Sequence, residues 1–291
     1  MQRERMIGVR KAVILAAGLG TRLLPFTKEM PKEMVPVYDT FYGQLVVKPL
    51  VQIIFEGLYR AGIREFCFVV GRGKEALMRH FAPDWSFVEF LERKGKELAA
   101  RCLRSFYEKV NSSSIVWVHQ QPPLGTGHAV LRAKHFTSGE PFVVCAGDSL
   151  FLGRDVFSSL LRAFSKYGSD FMTVVPVKRP ERFGVVVGEE VEDSIMRVRR
   201  IVEKPKEPVS NLANMSCYVF YPEIFKYLEA LRPSPRGEYE LTAAIMSEIE
   251  DAREVYALRA DGVRALDVGT PHSLIEAISA SYSSCLRGET R

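Results

Sequence analysis

The sequence predicts an α/β fold, a Rossmann-like three-layer sandwich around a mostly parallel mixed sheet. Three observations carry that reading. Short apolar runs rich in Val, Ile and Phe end at Gly, Pro or Asp, as buried strands do. Amphipathic stretches of helical period lie between them, and strand–helix alternation implies a parallel sheet with helices on both faces. The chain has 291 residues, 47% of them hydrophobic and 26% charged, enough for a large buried core.

In chain order, Ala12–Ala17 reads as the first buried strand. Leu50, Ile53, Ile54, Gly57 and Leu58 share one face of a helix, and Glu65–Val70 is the next strand. From Phe87 to about Lys109 runs a long charged helical segment in which Leu91, Leu98, Cys102 and Phe106 share a face. Ile115–Val118, Phe142–Ala146 and Phe171–Val177 are further strands. Gly184–Gly188, Ile195–Val202, Met215–Tyr221 and Val255–Leu258 then follow with fewer helices between them, an antiparallel or mixed extension of the same sheet. Helices are expected near Pro222–Leu231 and Glu240–Glu250. A last one begins at Pro271, a good first-turn residue, behind Thr270 as N-cap. No repeat, low-complexity tract or clear linker interrupts the chain, so residues 1–291 read as a single domain.

Bulk properties exclude several classes. The net charge of +5, from 40 basic and 35 acidic residues, suits small anionic substrates. It is not gathered into the basic stripe of a nucleic-acid binder, and Arg197–Arg200, broken by Val198, reads as the wet face of a strand. Five cysteines are scattered with no C-x-x-C, which suits buried small hydrophobes in a reducing cytosol. No apolar stretch approaches the ~20 residues of a membrane span. Arg3, Arg5, Arg10 and Lys11 precede Ala12–Ala17 in the outline of a signal peptide. That apolar run is short and has no small-residue cleavage site, so a first strand explains it better. A cytoplasmic protein is expected.

The strongest local signal is Leu15-Ala-Ala-Gly-Leu-Gly-Thr-Arg22. Glycines after a strand let backbone N–H groups approach phosphate oxygens, and Arg22 can meet their charge. Position 23 is Leu, so the dinucleotide fingerprint lacks its third Gly, and the Walker G-K-[ST] is absent. With Pro31-Lys32-Glu33-Met34 behind it, the segment resembles the L-A-A-G-x-G-T-R…P-K-x-M-x-P signature of the sugar-1-phosphate nucleotidylyltransferases. The resemblance covers nearly the whole chain. It implies a nucleotide-diphospho-sugar transferase fold with a nucleotide-binding half at about 1–150, a sugar-binding half at about 151–270 and a C-terminal helix at about 271–290.

Further segments match in order. Lys48-Pro-Leu-Val-Gln52 resembles the segment that opens the family's next helix, with Thr40–Val47 inserted ahead of it. Gln120 with Gly125-Thr-Gly127-His128-Ala129 resembles the base-reading segment of uridylyltransferases, although Gln121 is adjacent and Gln120 is chosen by counting back from Gly127. A carboxamide can donate to and accept from a pyrimidine edge. His128 is read as a residue that caps or packs its helix. Ala146-Gly-Asp148 follows an apolar strand, and Ala265-Leu-Asp267-Val-Gly269-Thr270 resembles the D-x-G-T motif. The resemblance makes Asp148 and Asp267 ligands of Mg²⁺, for which hard oxygen ligands are suited. It makes Ala16, Ala17, Gly18, Gly20, Thr21, Gln120, Gly125 and Gly127 nucleotide-binding, and Arg22 and Lys32 catalytic. Phe183-Gly184-Val185-Val186 and Glu203-Lys204-Pro205 put Gly184, Glu203, Lys204 and Asn214 about the sugar phosphate.

Around the sugar the sequence departs from the pattern. Ser216 stands where relatives commonly have Gly, and in Gly237-Glu-Tyr-Glu-Leu-Thr242 Glu240 replaces Gln and Ala243 replaces Asp. The long segment His80–Lys109 favours UTP over dTTP, while the ending Asp267–Ala277 leans the other way. The expected reaction is transfer of UMP from UTP to glucose 1-phosphate by Mg²⁺-assisted in-line attack on the α-phosphorus, catalysed by positioning and charge. A thymidylyltransferase and a non-catalytic nucleotide-sugar-binding regulator are the alternatives. The expected partners are UTP and glucose 1-phosphate, with no nucleic acid and no membrane; a homo-oligomer is left open. The residues after about 250 are too few for a left-handed β-helix, so no fused acetyltransferase is expected.

Overall fold

Residues 8–289 are described by a computed structural model, so Arg3 and Arg5 lie outside the described residues. The first apolar run becomes β1 (Lys11–Ala16), buried throughout except at Leu15. There follow β2 (Pro36–Phe41), β3 (Gln44–Pro49), α1 (Leu50–Arg60), β4 (Glu65–Val70), α2 (Glu75–His80), α3 (Trp85–Arg93), α4 (Glu97–Asn111) and β5 (Ser114–His119). Next come α5 (Thr126–Arg132), α6 (Lys134–Thr137), β6 (Phe142–Ala146), β7 (Ser149–Leu152), α7 (Val156–Tyr167) and β8 (Asp170–Pro176). The chain ends with β9 (Gly184–Glu192), β10 (Ile195–Glu203), β11 (Leu212–Phe220), α8 (Ile224–Ala230), α9 (Leu241–Glu250), β12 (Val255–Arg259), β13 (Arg264–Asp267) and α10 (Pro271–Leu286).

Nine strands form one mixed sheet in the order β5-β4-β1-β6-β11-β8-β12-β10-β9. The expectation of a mostly parallel sheet holds only for its first part, where β5, β4, β1 and β6 are all parallel. Beyond β6 the pairs are antiparallel except β8 with β12. The reason is the connections. Asp193 and Ser194 alone join β9 to β10, and a two-residue link can only make a hairpin, whereas parallel neighbours need a crossover. Within the parallel part the chain order is reversed between β1 and β6, which creates a crevice at their carboxyl ends.

Side chains alternate along β1 and β4 between two apolar layers. Ile14, Phe66 and Phe68 join Phe55 and Phe106 on one face, while Val13, Cys67 and Val69 join Val144 and Phe220 on the other. Strands covered on both faces read as continuous apolar runs, which is why they are visible in the sequence. Each fully buried Phe contributes about 2–3 kcal/mol.

Three features differ from expectation. The charged segment Phe87–Lys109 is two helices, because Gly95 takes φ +66° and ends α3. The Thr40–Val47 insertion forms most of a hairpin, β2–β3, turning at Tyr42-Gly43 with φ of 49° and 74°, as a two-residue turn requires. Tyr38 N donates to Ser281 Oγ at 3.1 Å, pinning the hairpin to α10, and Lys48 Nζ pairs with Asp39 at 2.9 Å and Glu56 at 2.7 Å, pinning it to α1. The third feature is a short ladder, β7–β13, which sets Ser149 opposite Asp267. At α10 the expected cap is present: Ser273 N donates to Thr270 Oγ1 at 3.2 Å. Among the described residues no helix is long and apolar enough to cross a membrane.

Candidate active site

A cleft of about 450 Å³ opens at the crevice between β1 and β6. The loop after β1 supplies Ala17, Gly18, Gly20, Thr21 and Arg22 to its lining. Gly20 needs to be glycine twice over. Its φ is +67°, and a Cβ there would stand 3.0 Å from the Thr27 methyl, whose hydroxyl donates to the Gly20 carbonyl at 2.8 Å. A Cβ on Gly18 would lie 3.6 Å from Lys32 Nζ, so loop and ammonium are neighbours.

Lys32, on the short 3₁₀ turn Lys32–Met34, forms a tight ion pair with Asp148 just beyond β6. The β7–β13 ladder brings Asp267 to the same place, and Val268 N donates to the Asp148 carbonyl at 3.0 Å. Burial alone would raise Asp148, but the Lys32 ammonium outweighs it and holds the carboxyl below the ordinary range. Asp267 is pushed up to about 7, by burial first and by Asp148 second. One ammonium between two buried carboxylates is short of positive charge, and Asp267 shows the deficit. Lys32 is raised in turn because Asp148, Glu33 and Asp267 together overcome its burial. Beneath it Glu33 is fully buried and accepts from Lys74 Nζ at 2.7 Å. Arg22 lies near Asp267 and its charge offsets part of the rise there: a Cβ on Gly269 would meet its guanidinium at 2.8 Å and Asp267 Oδ2 at 3.2 Å.

The far end of the cleft is carboxylate, hydroxyl and amide. Thr242 Oγ1 donates to Glu203 Oε2 at 3.1 Å, and Asn214 Nδ2 donates to Tyr218 Oη at 2.6 Å. A Cβ on Gly184 would come within 3.1 Å of Glu203 Oε2, so glycine leaves the space beside that carboxylate open. Arg236 pairs with Glu240 at 2.7 Å and stands 3.5 Å from Glu203 Oε1. Ser216 adopts φ +52°, the left-handed backbone that glycine would take without strain.

Gln120 is buried and lines the cleft, whereas Gln121 is exposed. Of the residues singled out by sequence, Lys32, Asp148, Gly125, Gly184, Glu203, Lys204, Asn214 and Asp267 line this cleft together with Gln120 and the loop after β1. Ala16 and Gly127 do not. Ala16 packs into the core, and Gly127 N donates to the Tyr239 carbonyl at 2.8 Å. Sequence reasoning missed Arg182, Tyr218, Glu238 and Thr242. Glu238 and Thr242 lie inside the segment Gly237–Thr242 already compared with the family, so motif membership was the available signal there; Tyr218 sits two residues past the departure at Ser216, and Arg182 carries no signal.

Among the described residues no three acidic, His or Cys side chains form a metal cage. Two facing carboxylates with spare negative charge do fit an ion that takes part of its oxygen shell from substrate phosphates, as Mg²⁺ does.

Residues 11–284 match the family model described as nucleotidyl transferase, and the chain belongs to that family, whose members of this kind use a divalent metal. Within it, the chain is 38% identical over 266 residues to the UTP–glucose-1-phosphate uridylyltransferase of Bacillus subtilis strain 168, covering 90% of this chain and 87% of that one. It is 34% identical over 283 residues to the enzyme of the same name from Pseudomonas aeruginosa, covering 95% and 97%. The fold is a mixed α/β nucleotidyltransferase type. It is similar to a crystal structure of UDP-glucose pyrophosphorylase complexed with UDP-glucose, with a TM-score of 0.83 and 29% identity over 95% of this chain and 99% of that one.

Proposed function

We propose that this nucleotidyltransferase joins UTP to glucose 1-phosphate, giving UDP-glucose and pyrophosphate by direct attack of a sugar-phosphate oxygen on the α-phosphorus. The observation that carries the reading is the placement of Lys32, Arg22 and the Asp148–Asp267 pair beside a glycine loop, with Glu203 and Lys204 across one continuous cleft. Two anionic substrates need cations and approachable backbone at their phosphates and a carboxylate for the sugar hydroxyls. The cleft offers them in that arrangement. The names of the relatives, UTP–glucose-1-phosphate uridylyltransferases, support the same substrates.

In this reading Ala17, Gly18, Gly20 and Thr21 hold the triphosphate. Arg22 and Lys32 neutralise it and the charge that develops as pyrophosphate leaves. Gln120 and Gly125 face the base, Glu203 accepts from glucose hydroxyls, Gly184 and Asn214 border the sugar, and Lys204 holds its phosphate. Asp148 and Asp267 would hold Mg²⁺, which when bound would supply positive charge to offset that of the substrate phosphates. Lys32 then serves as the counter-charge that keeps both carboxylates close. No enzyme nucleophile is required, so rate comes from positioning and charge. We read the fold as a Rossmann-like three-layer sandwich and residues 1–291 as one domain, supported by the continuous sheet that carries strands from both halves. A cytoplasmic location is supported by the buried thiols of Cys67, Cys145 and Cys217, with no disulfide among the described residues.

The test uses UTP labelled at the α-phosphate. With glucose 1-phosphate and Mg²⁺ the label should pass into UDP-glucose, and with UTP alone none should become bound to protein. Label trapped covalently on the chain would overturn the direct displacement.

A further inference from the structure

Gln120 and His128 form a contact with directional consequences. Gln120 Nε2 lies 2.9 Å from the Gly125 carbonyl oxygen and 2.9 Å from His128 Nδ1. A carbonyl oxygen can only accept, so the side-chain atom facing it is the NH₂ group and not the amide oxygen. Its two hydrogens are then committed, one to Gly125 and one to His128. His128 Nδ1 must accept, which requires a neutral ring with its proton on Nε2. Burial chiefly, with Arg132 adding to it, lowers the His128 pKa and favours that neutral form. The remaining polar atom of the carboxamide is Oε1. Gln120 itself is only 3% exposed, yet it lines the cleft. A free carboxamide can both donate and accept; this one has no donor left to offer.

We propose that His128 is a positioning residue that fixes the Gln120 carboxamide with its oxygen toward the nucleobase, and thereby selects pyrimidines carrying an N3–H over cytosine. The inference rests on the reading that Gln120 faces the base. Uracil and thymine present a donor at N3, which Oε1 accepts. Cytosine presents an acceptor at N3 and would set two lone pairs against each other. Turning the amide over to suit cytosine would place Oε1 against both the Gly125 carbonyl and His128 Nδ1. The lock therefore has two parts, one backbone and one imidazole, and only the second can be removed by substitution. His128 touches neither phosphate nor sugar phosphate in this role, so its effect belongs to base choice alone.

Calorimetric binding of UTP and of CTP, each with Mg²⁺, tests this in the full chain alongside the KM values. The unaltered protein should prefer UTP by about a hundredfold, the scale of one matched bond replaced by a repulsive contact. His128→Ala should cut that preference about tenfold while leaving the KM for glucose 1-phosphate unchanged. His128→Asn, whose Oδ1 can take the place of Nδ1, should restore most of it. Circular dichroism confirms that the variants are folded; should His128→Ala fail to fold, the Asn variant is compared with His128→Leu. An unaltered preference in the folded Ala or Leu variant would overturn the proposal, as would an Asn variant no better than these. Equal binding of UTP and CTP by the unaltered protein would overturn it as well. The binding readout needs no turnover, so failure of the catalytic reading would show separately, as absent UDP-glucose formation with base preference intact.

Discussion

Asp170, the first residue of β8, meets Glu248 of α9, at the end of the strand remote from the residue that pairs with Asn214. Asp170 Oδ1 accepts from Tyr221 N at 2.7 Å, and Glu248 Oε1 accepts from Arg253 Nε at 3.0 Å. The other oxygen of each carboxyl is buried with no ordinary partner. One proton held on Asp170 and donated to Glu248 satisfies both. Burial, and then the Glu248 charge, raise Asp170 well above the carboxylate range. The unfolded chain releases this proton near pH 4, the folded chain only well above it. Stability from this group is therefore fully present below about pH 4 and is lost as pH rises, at about 1.4 kcal/mol per pH unit, until the folded pKa is passed. Asp170→Asn keeps the acceptor for Tyr221 and gives Glu248 a donor that cannot ionise. Its stability relative to the unaltered protein should grow by about 1.4 kcal/mol per pH unit from about pH 5 up to the folded pKa of Asp170 and level off beyond it, each unit being about 2 °C in Tm for a chain of this length. Urea and thermal unfolding at pH 5, 6 and 7 read the difference. Parallel curves for the two proteins would refute the shared proton.

Other outcomes follow from the cleft. Lys32→Ala should lower turnover at least about a hundredfold with the circular dichroism spectrum unchanged, and near-normal rates would remove Lys32 from the mechanism. Gly125→Ala forces a side chain onto φ +111° with its Cβ 2.7 Å from the Tyr239 carbonyl, so UTP binding should weaken about tenfold or more by calorimetry. Arg236→Ala removes a half-exposed cation beside Glu203. The KM for glucose 1-phosphate should rise about threefold, the scale of one surface ion pair, with the KM for UTP unchanged. Chelation of divalent metal should stop turnover, and added Mg²⁺ should restore it.

The parts of the fold visible in the sequence are those whose physics is local. Val13, Ile14, Phe66 and Phe68 lie in runs buried on both faces, and Thr270-Pro271 announces a helix start. The strands β7 and β13 were not visible, because four-residue pieces carry no period and their pairing joins residues more than a hundred positions apart. The β2–β3 hairpin hid because Leu45 and Val47 face solvent while Lys48 is buried, the reverse of the usual signal. Gly95 was the warning that one long helix would break. In the cleft, loop and carboxylate motifs announced themselves by residue type. The Lys74–Glu33 support and the Thr242–Glu203 bond did not, since each joins distant positions through the fold. Ser216 was legible as a departure, but only the backbone reveals that it occupies a glycine-like conformation.

The most direct test of the central claim is pyrophosphate release with Mg²⁺ and glucose 1-phosphate, UTP being compared with dTTP and the remaining nucleoside triphosphates. The account predicts a dominant signal with UTP. A dominant dTTP signal would contradict the uridylyl assignment and leave the in-line chemistry standing. Silence with every triphosphate, in a chain that still binds UDP-glucose tightly, would contradict catalysis itself.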